Sequence, residues 1–84
     1  MLYGSAVRLL YPADGAVLTT SQLKVSGLVQ NADFVSLNGR KIYVDEEGYF
    51  SEDMILAPGL NILTLEAEDR FNRIVKDERR VLVK

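Results

Sequence analysis

The sequence predicts an all-β domain, a sandwich or barrel of about seven short strands. Three observations carry this. Apolar residues recur at spacing two rather than three to four, the apolar runs are short, and turn chemistry interrupts them about every 8 to 12 residues. No stretch reads as a helix.

The first strand is predicted over residues 6–11, with Val7 and Leu9 on one face. Pro12-Ala13-Asp14-Gly15 stops it, because proline fixes φ and glycine supplies a turn position. A short extended piece follows over residues 16–19. Residues 22–29 alternate cleanly, with Leu23, Val25 and Val29 on one face and Gln22, Lys24 and Ser26 on the other. Residues 33–37 and 41–45 flank Asn38-Gly39-Arg40, and Asn-Gly signals a hairpin because both residues accept positive φ. Two registers are open. A Gly39-Arg40 loop sets Leu37 against Ile42 and Val35 against Val44, whereas an Asn38-Gly39 loop sets Val35 against Ile42. Either one keeps Val35, Leu37, Ile42 and Val44 on one face.

Asp45-Glu46-Glu47-Gly48 is a polar turn, after which residues 49–56 place Phe50, Met54 and Leu56 in phase. Glu52 breaks that phase and marks an edge or a bulge. Ala57-Pro58-Gly59 turns the chain into residues 61–69, where Leu63, Leu65 and Ala67 point inward. Asp69-Arg70-Phe71-Asn72 reverses it into the last strand, residues 73–83. There the adjacent Ile74 and Val75 predict a bulge. Lys76-Asp77-Glu78-Arg79-Arg80 is too polar for a sheet interior and predicts an edge position. The predicted core is Val7, Leu9, Leu23, Val25, Val35, Leu37, Ile42, Val44, Phe50, Leu56, Leu63, Leu65, Ala67 and Val81.

Composition narrows the chemistry. The chain has 84 residues, 48% apolar and 26% charged, with net charge −2, which suits one soluble globular domain and excludes wholesale disorder or a collagen-like fibre. It contains no histidine, cysteine or tryptophan. Thiol nucleophiles, disulfides, Cys/His zinc sites and imidazole acid–base catalysis are thereby removed. The opening Met1-Leu2-Tyr3-Gly4-Ser5-Ala6 lacks the basic and apolar regions of a signal peptide. No apolar run approaches the roughly 20 residues of a membrane span, so no direct membrane insertion is expected.

The order of signals is Tyr11-Pro12-Ala13-Asp14-Gly15, Leu23-x-Val25-x-Gly27, Val35-x-Leu37-Asn38-Gly39, Val44-Asp45-x-x-Gly48-x-Phe50, Leu56-x-Pro58-Gly59-x-Asn61 and Leu65-x-Ala67-x-Asp69. Over nearly the whole chain this resembles the bacterial immunoglobulin-like modules of the glucodextranase domain B type. The resemblance implies an immunoglobulin-like β-sandwich of about seven antiparallel strands. It also implies a single module, residues 1–84, of a larger secreted or surface-anchored protein. Such modules act mostly as spacers or accessory domains. The family's last turn usually carries glycine where Asn72 or its neighbour stands, but asparagine tolerates the left-handed region, so the turn is expected to persist. The cysteine pair and buried tryptophan of antibody-type domains are absent, which points away from the vertebrate branch.

Candidate chemistry is sparse. Asp45, Glu46, Glu47, Glu52, Asp53 and Asp69 carry oxygens suited to calcium, but no spacing matches a calcium loop, and they read as turn and strand-edge carboxylates. Asp69 in particular suits a turn in which it bonds its own backbone two residues on. Carboxylate pairs for glycoside hydrolysis arise by chance on any acidic sandwich, and Ser5, Ser21, Ser26, Ser36 and Ser51 have no histidine to activate them. Arg70, Arg73, Lys76, Arg79, Arg80 and Lys84 are interrupted by Asp77 and Glu78 and read as a charged edge rather than a nucleic-acid surface.

Apolar residues out of phase with the core are more informative: Leu28, Phe34, Tyr43, Tyr49, Ile55, Ile62 and Leu82. In an immunoglobulin-like topology, antiparallel pairing is expected to bring Leu82, Ile62, Ser36 and Tyr43 into a row on one outer face, with Phe34 beside Glu66. Contiguous, they would mark a docking surface for a neighbouring domain or protein partner. Phe34, Tyr43 and Tyr49 also offer rings for stacking a glycan. The expectation is a non-catalytic, extracytoplasmic structural or docking module with no cofactor and no metal. The alternative is an accessory module binding an envelope glycan or protein through Phe34, Tyr43, Ile62 and Leu82.

Overall fold

The computed structural model describes residues 5–84. Residues 1–4, on which the reading of the chain start mainly rests, lie outside the described residues. Eight strands follow in order: β1 (Ala6–Tyr11), β2 (Ala16–Leu18), β3 (Gln22–Gln30), β4 (Phe34–Leu37), β5 (Arg40–Lys41), β6 (Tyr49–Ile55), β7 (Gly59–Glu68) and β8 (Ile74–Val83). They build two sheets, β1-β3-β6 and β2-β8-β7-β4-β5. The sheets are the two layers of an immunoglobulin-like sandwich.

The inward parity of each strand fills the space between them. Leu9, Val25, Leu37, Phe50, Leu63, Leu65 and Val81 are essentially inaccessible to water. The predicted core is recovered except that Val7 and Val44 lie at its margin, half-buried against it, and Val29 and Val83 join it.

One pairing departs from the antiparallel expectation. The β2 strand runs parallel to β8, with Ala16 opposite Val81 and Leu18 opposite Val83. The chain leaves β3 after Tyr11, passes the cis Tyr11-Pro12 peptide and changes sheets. Gly15 N–H donates to the Arg80 carbonyl and the Asp14 carboxylate accepts from Arg80 N–H, both at 2.7 Å, which holds the crossing segment against β8.

The hairpin resolves in favour of the Asn38-Gly39 loop. Leu37 pairs with Arg40, Ser36 with Lys41, and Ile42 N–H donates to the Val35 carbonyl at 3.0 Å. Asn38 and Gly39 have φ of 50° and 82°, the doubly positive geometry that Asn-Gly accommodates. β5 is shorter than expected, because the chain leaves the sheet after Lys41 and crosses toward β6, where Asp45 N–H donates to the Tyr49 carbonyl at 2.9 Å.

Glu52 marks an edge and not a bulge, since β6 pairs with β3 without interruption from Gln22 opposite Ile55 to Leu28 opposite Tyr49. The bulge predicted at Ile74 and Val75 is absent. The β7–β8 ladder runs unbroken from Gly59 opposite Val83 to Glu68 opposite Ile74, with Ile74 simply facing outward. A bulge occurs instead in β1, between Leu9 and Tyr11.

The molecule measures 42 × 21 × 20 Å. Ala6, opposite Gln30, lies at one end of the long axis, whereas Val83, opposite Gly59, lies at the other.

Candidate binding face of the larger sheet

The outward residues of β4, β7 and β8 set a grid whose rows follow from register. Phe34 stands beside Glu68, and Glu68 beside Ile74. In the next row Lys41, Ser36, Glu66 and Lys76 line up. Further along, Thr64 faces Glu78 and donates its hydroxyl to that carboxylate at 3.2 Å. Ile62 faces Arg80, and the last row is Leu60, Leu82 and Val17.

All four residues singled out from the sequence, Phe34, Tyr43, Ile62 and Leu82, are exposed. They do not form one row. Leu82 sits opposite Leu60 and not Ile62, while Phe34 sits beside Glu68 and not Glu66, a slip of two residues in each case. Ser36 belongs with Glu66, far from Ile62. Glu68 and Ile62 are about 20 Å apart along β7, and the polar rows between them include the Lys76 to Glu66 ion pair at 3.6 Å. The expected patch is therefore two patches, one at each end of the face.

At the end near Val83, Val17, Leu60, Ile62 and Leu82 make a contiguous apolar surface. Leu60 escaped the sequence reading because it directly follows the Pro58-Gly59 turn, and Val17 because a three-residue parallel strand gives no local sign of its partner. At the opposite end Lys41 Nζ lies 5.5 Å from the Phe34 ring centroid and 5.4 Å from that of Tyr43. Nothing in the sequence distinguishes this lysine from an ordinary surface cation.

The same end carries the turn of residues 69–73. Asp69 Oδ1 accepts from Phe71 N–H at 2.8 Å and Arg73 N–H at 3.0 Å, and Oδ2 accepts from Arg73 Nε at 2.8 Å. Burial pushes the Asp69 carboxyl upward and is the largest single influence, but these donors together outweigh it and hold the group below its usual value. Asn72 takes φ 63°, so the turn persists without the glycine. The Arg70 and Arg73 guanidinium carbons lie 5.3 and 5.2 Å from the exposed Phe71 ring.

Asp45, Glu52 and Asp53 are engaged locally. Asp45 Oδ1 accepts from Glu47 and Tyr49 N–H, both at 2.9 Å. Glu52 meets Arg40 at 3.3 Å, and Asp53 meets Lys24 at 3.7 Å. Among the described residues no three acidic side chains are grouped to hold a metal ion. The basic stretch does not present one surface, because Arg79 turns inward. Its guanidinium binds Asp77 at 3.0 Å and the Leu9 carbonyl at 2.8 Å, while Asp77 accepts from Leu9 N–H at 2.8 Å. No described helix is long and apolar enough to cross a membrane.

Comparison with known proteins agrees with the fold. The family described as glucodextranase, domain B, matches residues 7–84. No curated protein sequence matches the chain. A solved structure of the fibronectin(III)-like modules of Clostridium thermocellum CbhA superposes with a TM-score of 0.66 at 21% identity, covering 94% of this chain and 96% of that one.

Proposed function

The chain belongs to the glucodextranase domain B family, and from that membership we propose that it is a non-catalytic, extracytoplasmic spacer and docking module of a larger multidomain protein. The observation that carries this reading is the shape. The domain is twice as long as it is wide, 42 Å against 21 and 20 Å, and the described chain enters at one end of the long axis and leaves at the other. Modules so built add length when strung together. The apolar surface of Val17, Leu60, Ile62 and Leu82 lies where β8 finishes, and it suits a neighbouring domain that seats against this end and fixes the angle of the joint.

Small-angle scattering on the complete polypeptide containing the module tests both parts. Deleting the module should shorten the maximum dimension by roughly the module's own length, and introducing Leu60→Lys with Leu82→Lys should broaden the distance distribution as the joint loosens. An unchanged maximum dimension would overturn the spacer. A distribution that keeps its shape in the lysine variant would overturn the docking.

A further inference from the structure

The end of the face that bears Phe34 and Tyr43 has a chemistry the spacer role does not use. Lys41 stands between two rings, its ammonium 5.5 Å from the Phe34 centroid and 5.4 Å from the Tyr43 centroid. Attraction between the cation and the ring faces holds both rings in orientation. The rings nevertheless remain open, Phe34 at 57% and Tyr43 at 76% of full exposure. Phe34 opens the β4 ladder, and Tyr43 lies two residues beyond β5, at the start of the segment that crosses toward β6.

Next to the rings the sheet dips into a shallow depression lined by Phe34, Ser36, Lys41, Glu66 and Glu68. Within one small area there are thus two aromatic faces, two groups that donate, the Ser36 hydroxyl and the Lys41 ammonium, and two carboxylates that accept. From this arrangement we infer that the Phe34–Lys41–Tyr43 corner is a binding subsite for a neutral polysaccharide.

A pyranose ring presents two surfaces that match it. Its C–H face stacks on an aromatic ring, and its rim of hydroxyls both donates and accepts. Ordered water bridges such contacts at little cost, which suits a depression open to solvent. A dry protein interface would instead have to strip water from the Glu68 carboxylate and from the Lys76–Glu66 ion pair, and desolvating such charges is expensive. Lys41 and Lys76 are balanced by Glu66 and Glu68, so the corner offers no net positive charge to attract an anionic polymer. The inference stands apart from the docking surface, which lies at the other end of the molecule.

Amide NMR on the isotopically labelled chain tests it, with dextran, soluble starch and hydroxyethyl cellulose as neutral probes and polygalacturonate as the anionic one. At least one neutral probe is expected to shift the amides of residues 34, 36, 41, 43, 66 and 68, with polygalacturonate moving none of them. Tyr43→Ala or Phe34→Ala should weaken that binding roughly tenfold, the loss of one stacking contact. Both positions are exposed, so an unchanged melting temperature shows that the fold is intact, and Leu60→Ala at the far end should bind as the parent does. Absence of shifts with every neutral probe would overturn the inference. So would shifts confined to the Val17 and Leu82 end, or a response to polygalacturonate that equals or exceeds the neutral one.

Discussion

Asp69 accepts hydrogen bonds from two amides and a guanidinium although its side chain is almost wholly buried. Since the folded state holds its carboxyl below the usual 3.8, folding favours the charged form. The unfolded chain takes up the proton first on acidification. Stability from this group is therefore complete above the unfolded value and is lost as pH falls through the folded one. Asp69→Asn keeps an acceptor oxygen and removes the charge. Calorimetry should find the parent melting above the variant at pH 7 and the gap closing as the solution is acidified below pH about 4. A gap of constant size from neutrality to strong acid would show that the charge contributes nothing. Other signature residues are also structural at this scale. A Cβ on Gly27 would stand 2.6 Å from Phe50 Cε2 and 2.7 Å from the Arg8 carbonyl oxygen, so the glycine of one motif and the phenylalanine of another are a single packing requirement. Asn38 likewise does two jobs, forming the hairpin turn with positive φ and accepting from Thr64 N–H at 2.7 Å.

Between β1 and the stretch of β8 before its parallel partner, two strand edges face each other with no ladder pairing between them. Asp77 and Arg79 close that seam, binding the Leu9 N–H and carbonyl with their side chains. Inward charges of this kind satisfy an edge that would otherwise recruit another strand. Replacing both by alanine leaves two backbone groups without protein partners, an expected cost of about 1–3 kcal/mol in urea denaturation. It should also produce concentration-dependent association in size-exclusion chromatography. A variant as stable and monomeric as the parent would show that water serves the seam equally well. The sequence reveals only half of this device. Five polar residues in a row predict an edge, but with every position polar the period of two that tells inside from outside is invisible, so the inward aim of Asp77 and Arg79 appears only once β7 fixes the register. The candidate binding face was legible to the same depth. Parity identified Phe34, Tyr43, Ile62 and Leu82 as outward, because a two-residue slip leaves parity intact, but the slip replaced every neighbour and split one expected patch into two. The parallel β2 pairing left no sign at all, since three residues are too few to show a period and their partners lie far along the chain.

At the scale of the whole molecule, the direction of β2 decides how the domain would bear tension in the proposed spacer role. The β2 and β8 strands run the same way, while Ala6 and Val83 lie at opposite ends of the long axis. Pulling between residues 5 and 84 therefore drives β2 and β8 past each other along their length. The ties of β1, β2 and the crossing between them to β8 and Lys84 are loaded together: the ladder from Ala16 to Leu18, the Gly15 and Asp14 bonds to Arg80, the Arg79 and Asp77 bonds to Leu9, and Lys84 N–H on the Leu18 carbonyl at 2.9 Å. The antiparallel β7–β8 ladder offers a contrasting geometry, for Gly59 and Val83 are opposite each other at the same end. Force applied between residues 58 and 84 peels that ladder one pair at a time. Single-molecule pulling through residues 5 and 84 should consequently require a higher force than pulling through residues 58 and 84 in the same folded domain, although the equilibrium stability is identical. Equal forces along the two directions would mean that the parallel pairing and its side-chain ties bear no load, and that the domain resists extension along its long axis no better than peeling.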